Sequence, residues 1–516
     1  MFRSNNVAAR IFERQIVTPR PGTSVNYVRQ FYENLVPNYT VYDVDCPDQS
    51  FRKFTDDGQY LISFSRNQQE LIVYRPIWFS FSYKEENCDS VDLHQKTKRI
   101  DSFFTQLYSI PLASSNEVIS KDFFLYVESR QFGIFATSTA QSQEASATEG
   151  AIHGVPSIEK ITFHLVRLED GDILDVKVFC NDFINLVHGM GHGIGHGMGV
   201  FLYDDLLCIM SLRYQTIHII QIRDSGNLAL VRIIGSFCRE DDELYLNSHT
   251  HVTERGHFLS GIKQRLLSFI FRKTWNDEVD HILRVHHLKK FYFHFQDYID
   301  LIMWKAQFLD RHHLLIKFGS VDGGVSRSTD HHPSFFAVYN MESTEIIAFY
   351  QNSAEELYCL FEHFYDHFHV TSRNSLHLRF ISSPCNNIHA LDQLLGIRIK
   401  ACTSAQFVKK MLGTLPYTCQ SQSPSPYFDL SLFRYDDKLI SSMERHRQST
   451  ESPIKFILRR QPNVLKFKIK PGPEAGGSDV RSKRISSFIF HPILPLALSI
   501  QQTYMQPTVV NIHFRR

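Results

Sequence analysis

The stretch FRKFTDDGQYLISFSRNQQELIVY, residues 51–74, reads as strand, acidic turn, strand, polar turn, strand. Leu61, Ser63 and Ser65 alternate with Ile62 and Phe64, the period of two that gives a strand two unlike faces. Asp56-Asp57-Gly58 supplies the turn, because Asp accepts nearby backbone N–H groups and Gly tolerates positive φ.

The same phrase recurs. From residue 51 the first unit takes either Trp78–Tyr83 or Phe103–Leu112 as its fourth strand. Phe123–Ser138 opens a second, which resumes after a Ser/Ala/Gln-rich loop with Ile161–Leu168 and Ile173–Phe179 around Asp170-Gly171, a strong hairpin signal. Val200–Gly235, Gln307–Tyr350, Leu432–Ile469 and Ser486–Phe514 are the third to sixth. Aligned on the turn, an acid recurs as Asp56, Glu128, Asp204, Asp310 and Asp436, with His491-Pro492 in the last copy. Four strands per unit, repeated six times, is the pattern of β-propeller blades. The last copy has only three strands, and Tyr39–Val44 (YTVYDV) is an orphan strand. Pairing the orphan with the last copy would close the ring and remove two sheet edges. The expected fold is therefore mainly β: a WD-repeat-like β-propeller of six recognisable blades, with room for a seventh.

Helical patterns interrupt the strands. Residues 258–305 carry Leu259, Ile262, Leu266 and Phe269-Ile270 on one stripe. Residues 353–370 place Leu357, Leu360, Phe361, Phe364 and Phe368 at helical spacing after a Ser353 cap, and Ser404–Leu415 predicts a further short helix before a Pro/Ser-rich loop. Near the N-terminus, Val25, Val28, Phe31, Tyr32 and Leu35 share a face of a helix that Pro37 ends. The expected division is an N-terminal helical segment (1–38), closing strand and first blades (39–250), a helical insertion (251–305), and the remaining blades (306–516) with a second insertion at about 351–427. Insertions on a rigid scaffold usually carry binding.

The 516 residues include 55 basic and 54 acidic side chains, a balance that exerts no global pull toward nucleic acid or anionic membrane. No sequence-specific DNA binding and no membrane association are expected. The N-terminus lacks the apolar run of a secretory signal, and nine scattered cysteines without a C-x-x-C pair fit free thiols in a reducing compartment. The chain reads as soluble and intracellular.

Motifs that would carry chemistry are weak. HGMGHGIGHGMG (His188–Gly199) spaces three histidines by four residues, but alternate glycines make a poor helix and no carboxylate or Cys completes a metal shell. His363-Phe-Tyr-Asp366-His367 imitates an inverted zincin motif with Asp one methylene short of the Glu base. Glu240-Asp241-Asp242-Glu243 follows Arg239 as a solvated turn would, and the recurrent turn acids read as structural. No phosphate-binding loop, nucleophile elbow or dinucleotide fingerprint is present. No catalytic residue, metal or cofactor is expected. Arg481, Lys483 and Arg484, in a Pro/Gly/Ser-rich loop, are the candidate nuclear-import cluster.

Long strings of the chain resemble the De-etiolated family of plant light-signalling repressors: Phe12–Ile16, Arg29–Thr40, Asp45–Pro76, Phe103–Ser109, Ser211–Leu228, Phe237–Leu244, Phe308–Val325, Cys419–Phe433 and the C-terminal VVNIHFRR. Two departures stand out, an expanded H-G-x-G tract and a short segment between Thr250 and Phe258. The resemblance implies a nuclear, non-enzymatic scaffold and substrate-recruiting subunit of a cullin–RING ubiquitin ligase that represses photomorphogenesis. Its implied partners are the damaged-DNA-binding adaptor, a ubiquitin-conjugating-enzyme variant, a small adaptor-associated protein and a RING-type photomorphogenesis ligase, with histone tails and transcription factors beside them. None of the three tryptophans, Trp78, Trp275 and Trp304, begins the Trp-Asp-x-Arg box of many adaptor-binding propellers. Adaptor binding is therefore assigned to the N-terminal segment, with Phe12, Val28, Phe31 and Leu35 as helix-in-groove anchors. Against this stand a ubiquitin-independent chromatin-binding propeller that reads histone tails as a corepressor, and a metal hydrolase using the histidines.

Overall fold

The computed structural model describes residues 32–77, 99–142, 155–186, 199–235, 261–277, 280–320, 334–351, 354–364, 397–415, 425–428, 432–436, 453–470, 485–502 and 508–515. These residues form a mainly β structure of six antiparallel sheets with helices between them. After β1 (Tyr39–Val44) comes the first sheet, β2 (Gln49–Phe54), β3 (Leu61–Ser65), β4 (Glu70–Pro76) and β5 (Phe104–Pro111), in sequential order. Of the two candidate fourth strands, the Phe103–Leu112 segment pairs with β4, Tyr74 opposite Gln106; Trp78–Tyr83 lies outside the described residues.

The second sheet holds β6 (Val118–Ile119), β7 (Leu125–Val127), β8 (Phe132–Ser138), β9 (Gln141–Ser142), β10 (Ser157–Arg167) and β11 (Ile173–Asp182). Its β10–β11 hairpin turns at Asp170-Gly171 as expected. Gly171 has φ +87°, and a Cβ there would meet the Tyr108 ring at 2.9 Å. The third sheet is β12 (Val200–Tyr203), β13 (Leu206–Ser211), β14 (Thr216–Ile222) and β15 (Leu228–Gly235). The fourth is β16 (Ile302–Phe308), β17 (His313–Gly319), β18 (Ser334–Asn340) and β19 (Glu345–Gln351). Three strands make the fifth: β20 (Phe433–Arg434), β21 (Ile454–Leu458) and β22 (Leu465–Ile469).

In the sixth sheet β23 (Ile485–Phe490), β24 (Leu496–Gln502) and β25 (Val509–Phe514) are completed by β1. Tyr39 stands opposite Phe514 and Thr40 opposite His513, so the orphan strand does pair with the last copy. A buried polar network sets this register. His513 bridges Thr40 Oγ1 at Nδ1 (2.9 Å) and Ser499 Oγ at Nε2 (3.0 Å). Asn511 donates to Ser499 Oγ (3.1 Å) and accepts from the Asp43 backbone N–H (2.9 Å). Slipping β1 by one residue would leave these buried groups unpaired, a cost of about 1–3 kcal/mol each.

Successive sheets share apolar cores. The sixth meets the first through Val41, Ile489, Leu498 and Ile512 against Phe54, Leu61 and Tyr74. Phe64 and Val73 of the first pack with Phe135 and Val166 of the second. Second and third join through Ile134, Phe163, Ile209 and Ile220, third and fourth through Phe201, Ile219, Phe308 and Ile316. Phe456 and Phe467 of the fifth stack at 4.4 Å and pack on Phe490 of the sixth.

Helix α1 (Ile262–Asp277) buries Ile262 and Leu266 in the core shared by the third and fourth sheets, as the stripe predicts. It is followed by α2 (His281–Phe293), capped by Asp280, and α3 (Phe295–Ile299). The helical reading of 258–305 overran: residues 302–305 begin β16, because Ile302 pairs opposite Gly319 of β17 and Met303 is buried in the core shared by the third and fourth sheets. Helix α4 (Glu355–His363) starts from Ala354 rather than a serine cap and buries Leu357, and α5 (Ser404–Thr414) is capped by Thr403, whose side chain accepts from Gln406 N–H. Both pack on Leu315, Phe336 and Val338 of the fourth sheet.

Candidate functional site

Each recurrent turn sits near the start of its sheet, between β2 and β3, β7 and β8, β12 and β13, or β16 and β17. In the first sheet the Asp57 carboxylate accepts from Thr55 Oγ1 (2.6 Å) and Gln59 N–H (3.0 Å), while Gly58 N–H donates to Thr55 O (2.8 Å). Gly58 adopts φ +74°, and a Cβ there would lie 2.4 Å from the His491 ring. Lys53 and Asp56 form a buried ion pair at 3.4 Å.

Each turn is gripped by a neighbouring sheet. His491, in the β23–β24 turn, accepts at Nδ1 from Ile493 and Leu494 N–H (3.0 and 2.8 Å). Its Nε2 therefore carries the proton and donates to Gly58 O (3.0 Å), with Phe54 edge-on at 4.9 Å. On the other side, Tyr126 O–H of β7 donates to the second oxygen of Asp57 (2.8 Å). Arg130 reaches the third sheet at Ile222 O (2.6 Å) and Asp224 (2.5 Å). Arg311 of the fourth sheet returns to the third, holding Asp205 bidentately (2.8 and 3.2 Å) with Asp204 at 3.6 Å. Buried Gln215 also pairs with both N–H and C=O of Met303. The turns thus clamp adjacent sheets.

Electrostatics follow from this packing. Burial, with Asp56 and Asp57 nearby, pushes the Glu128 carboxyl up to about 8, so it is largely protonated at neutral pH. Burial raises Asp204, and the adjacent Asp205 adds to it. Burial also acts upward on Asp205, but hydrogen bonds from Arg311 and Gln221 outweigh it and lower that carboxyl. Asp310 accepts from His312 N–H, His313 N–H and His313 Nδ1. Asp57, Asp205 and Asp310 each spend both oxygens on protein groups. The cluster's chemistry is cohesion between sheets, and the reading of the turn acids as structural is extended by a role that one copy alone could not display.

The sequence-assigned adaptor anchors separate. Leu35 is fully buried in this chain's own core, with Tyr32, Val36 and Tyr427 against Phe433, Phe456 and Phe490. Tyr427 O–H donates to Leu35 O, and Tyr32 O–H to Ile493 O (2.9 Å). The assignment of Leu35 to an adaptor groove is therefore corrected: Leu35 and its neighbour Tyr32 are satisfied internally by the fifth and sixth sheets. Phe12, Val28 and Phe31 lie outside the described residues, as do Arg481, Lys483 and Arg484, His188, His192 and His196 of the H-G-x-G tract, the 239–243 charge run, and Asp366 and His367. His363 ends α4, its ring edge-on to Phe364 at 5.5 Å. Among the described residues no three His, Cys, Asp or Glu are grouped to hold a metal ion, and no described helix is long and apolar enough to cross a membrane. Sequence reasoning reads His491 only as the turn position of the last copy and misses buried His513, whose signal is a His inside the mostly apolar strand VVNIHF.

These features define the class: a mainly β chain of several antiparallel sheets, its first described strand paired with its last, with helices between the sheets. The chain belongs to the De-etiolated protein 1 (Det1) family, whose model matches residues 121–516. It is 68% identical to the light-mediated development protein DET1 of Solanum lycopersicum and 61% identical to that of Arabidopsis thaliana, in each case over 100% of both chains. Among solved structures, a complex of KlAtg21 with the coiled-coil of AgAtg16 aligns over 92% of this chain and 80% of its own, at TM-score 0.23 and 9% identity, a likeness on which nothing is built.

Proposed function

We propose that the chain acts in light-mediated development as a non-enzymatic scaffold. In this reading it is the substrate-recruiting subunit of a nuclear cullin–RING ubiquitin ligase that binds the damaged-DNA-binding adaptor and represses photomorphogenesis. The observation that carries it is the full-length similarity to two proteins named for light-mediated development. The geometry supports the scaffold part, because the turns hold neighbouring sheets through Asp57, Asp205 and Arg311 and the insertions project helices from the sheets.

In the same reading the six sheets are the blades of a β-propeller. Sequential strand order, cores shared from the fifth sheet through the sixth and first to the fourth, and the β1–β25 pairing support a ring. Helices α4 and α5 occupy the side of the fourth sheet that would face the fifth. A density map at strand resolution showing six blades about one axis tests this, and an open arc of sheets overturns it.

The functional test is purification of the tagged chain from plant nuclei. Adaptor and cullin at stoichiometric yield support the ligase reading, whereas histones at stoichiometric yield without adaptor support the chromatin reading. The ubiquitin-conjugating-enzyme variant, the small adaptor-associated protein and the RING-type ligase are sought in the same eluate.

A further inference from the structure

The exposed face of α2 carries an uncommon combination. Phe291 points inward, its ring against Phe271 of α1 (5.9 Å) and Tyr298 of α3 (6.1 Å), and Arg284 lies over the Trp275 ring at 5.1 Å. α1 is in turn anchored on the sheets by Ile262 and Leu266, by Arg265 donating to Thr344 O, and by Lys263 donating to Ile299 O (2.8 Å). Among the described residues the outer side of this hairpin is exposed. Ile282 is 77% exposed and Phe293 82%, with Val285 and Lys289 also exposed. At 100° per residue the spacing i, i+3, i+7, i+11 puts Ile282, Val285, Lys289 and Phe293 within an arc of about 80°. Residues 281–294 contain Arg284, Lys289 and Lys290 and no acid.

We infer that this face of α2 docks an acidic amphipathic helix of a protein partner, whose apolar stripe covers Ile282, Val285 and Phe293 and whose carboxylate meets Lys289. Charge complementarity selects this occupant. A helix lying in a membrane keeps its cations at the flanks of the apolar face, but Lys289 sits in the middle of this one. A second copy would bring two acid-free cationic faces together, which like-charge repulsion opposes. An acidic helix removes both difficulties and turns Lys289 into a register pin, as a single polar residue does in helix pairs. The inference stands whether or not the ubiquitin-ligase reading holds.

The test uses the full-length chain and labelled synthetic helical peptides, with affinity read by fluorescence anisotropy. One peptide has a leucine stripe flanked by glutamates with a glutamate at its centre; others place lysine at the centre, or scramble the acidic sequence. The glutamate-centred peptide should bind at least tenfold more tightly than the scrambled one. The combined change Ile282→Ser, Lys289→Glu and Phe293→Ser should cost tenfold or more while leaving the melting temperature unchanged, since these side chains are solvent-exposed. Lys289→Glu alone should switch preference to the lysine-centred peptide, a gain that misfolding could not produce. Equal binding of the scrambled peptide, or no switch, overturns the inference. So does flotation with phosphatidylserine vesicles that the triple variant loses, a dimer that it abolishes, or tighter peptide binding after serines replace the chain's own acids at 240–243.

Discussion

His491 Nε2 lies 3.0 Å from the carbonyl oxygen of Gly58, joining the turn of the last sheet to the turn of the first across 433 residues of chain. Both partners are specified by the other. The positive φ of Gly58 excludes side chains, and the histidine ring fills the space a Cβ would need. His491→Ala removes a buried ring and orphans three backbone groups, so a loss of about 2–4 kcal/mol is expected in urea denaturation. Gly58→Ala should cost a similar amount, and the double variant less than the sum, because both remove one contact. Additive effects would mean that the clamp does not couple the two sheets.

Acid should unfold the protein through its buried histidines. Burial pulls His491 and His513 down to about 3, and His164 and His218 to about 4, from an ordinary value near 6.5. An imidazole depressed in the fold binds fewer protons there than in the unfolded chain. Its stabilising contribution is therefore complete above about pH 6.5 and is lost as pH falls toward 4 and 3. Melting temperature should drop steeply over that interval, and His513→Gln should flatten the drop. A flat acid limb in the native protein would contradict neutral burial.

Glu128 works in the opposite direction. Its carboxyl, raised by burial and then by Asp56 and Asp57 to about 8, holds its proton more tightly folded than unfolded. Stability from this group is full below about pH 4.5 and declines as pH rises through 8. Glu128→Gln should leave stability unchanged at pH 4.5 and raise it by on the order of 1–2 kcal/mol at pH 8.5. Melting curves of the two proteins at both pH values decide it.

Arg311 and Asp205 form a partly exposed bidentate pair between the third and fourth sheets. Arg311→Ala should cost about 1 kcal/mol, and Arg311→Lys nearly as much, since an ammonium cannot reproduce the planar fork. Raising salt should reduce the difference between wild type and variant. A loss unaffected by salt would point to packing by the arginine stem instead.

Leu35 separates scaffold from docking. With its side chain fully buried among Tyr427, Phe433 and Phe456, Leu35→Ala should lower stability by about 2–4 kcal/mol. At a temperature where the variant remains folded, adaptor capture should be unchanged by this substitution. Selective loss of capture with unaltered stability would restore the docking role.

Much of the architecture was legible because each repeat announces itself locally. The Asp-Gly signals at 57–58 and 170–171, the alternation in residues 61–65 and the orphan strand at 39–44 come from backbone sterics and burial of one face, which short stretches carry by themselves. The helical reading failed at 302–305 because an apolar run has no preferred period, and only pairing with β17 drew Ile302 and Met303 into the fourth sheet. Leu35 misled for a related reason: an apolar helical face states that something covers it, not what.

The sequence by itself therefore determined which residues become strands, where the tight turns fall, and that the first and last strands need each other. It also determined family membership. Only the tertiary structure decided that Asp57, Tyr126, Arg130, Asp205, Arg311 and His491 act between sheets. It alone showed that Tyr32 and Leu35 are spent inside the molecule while, among the described residues, Ile282 and Phe293 of α2 stay exposed. Local chemistry is written along the chain, but a partner hundreds of residues away is chosen by packing, which no single stretch encodes.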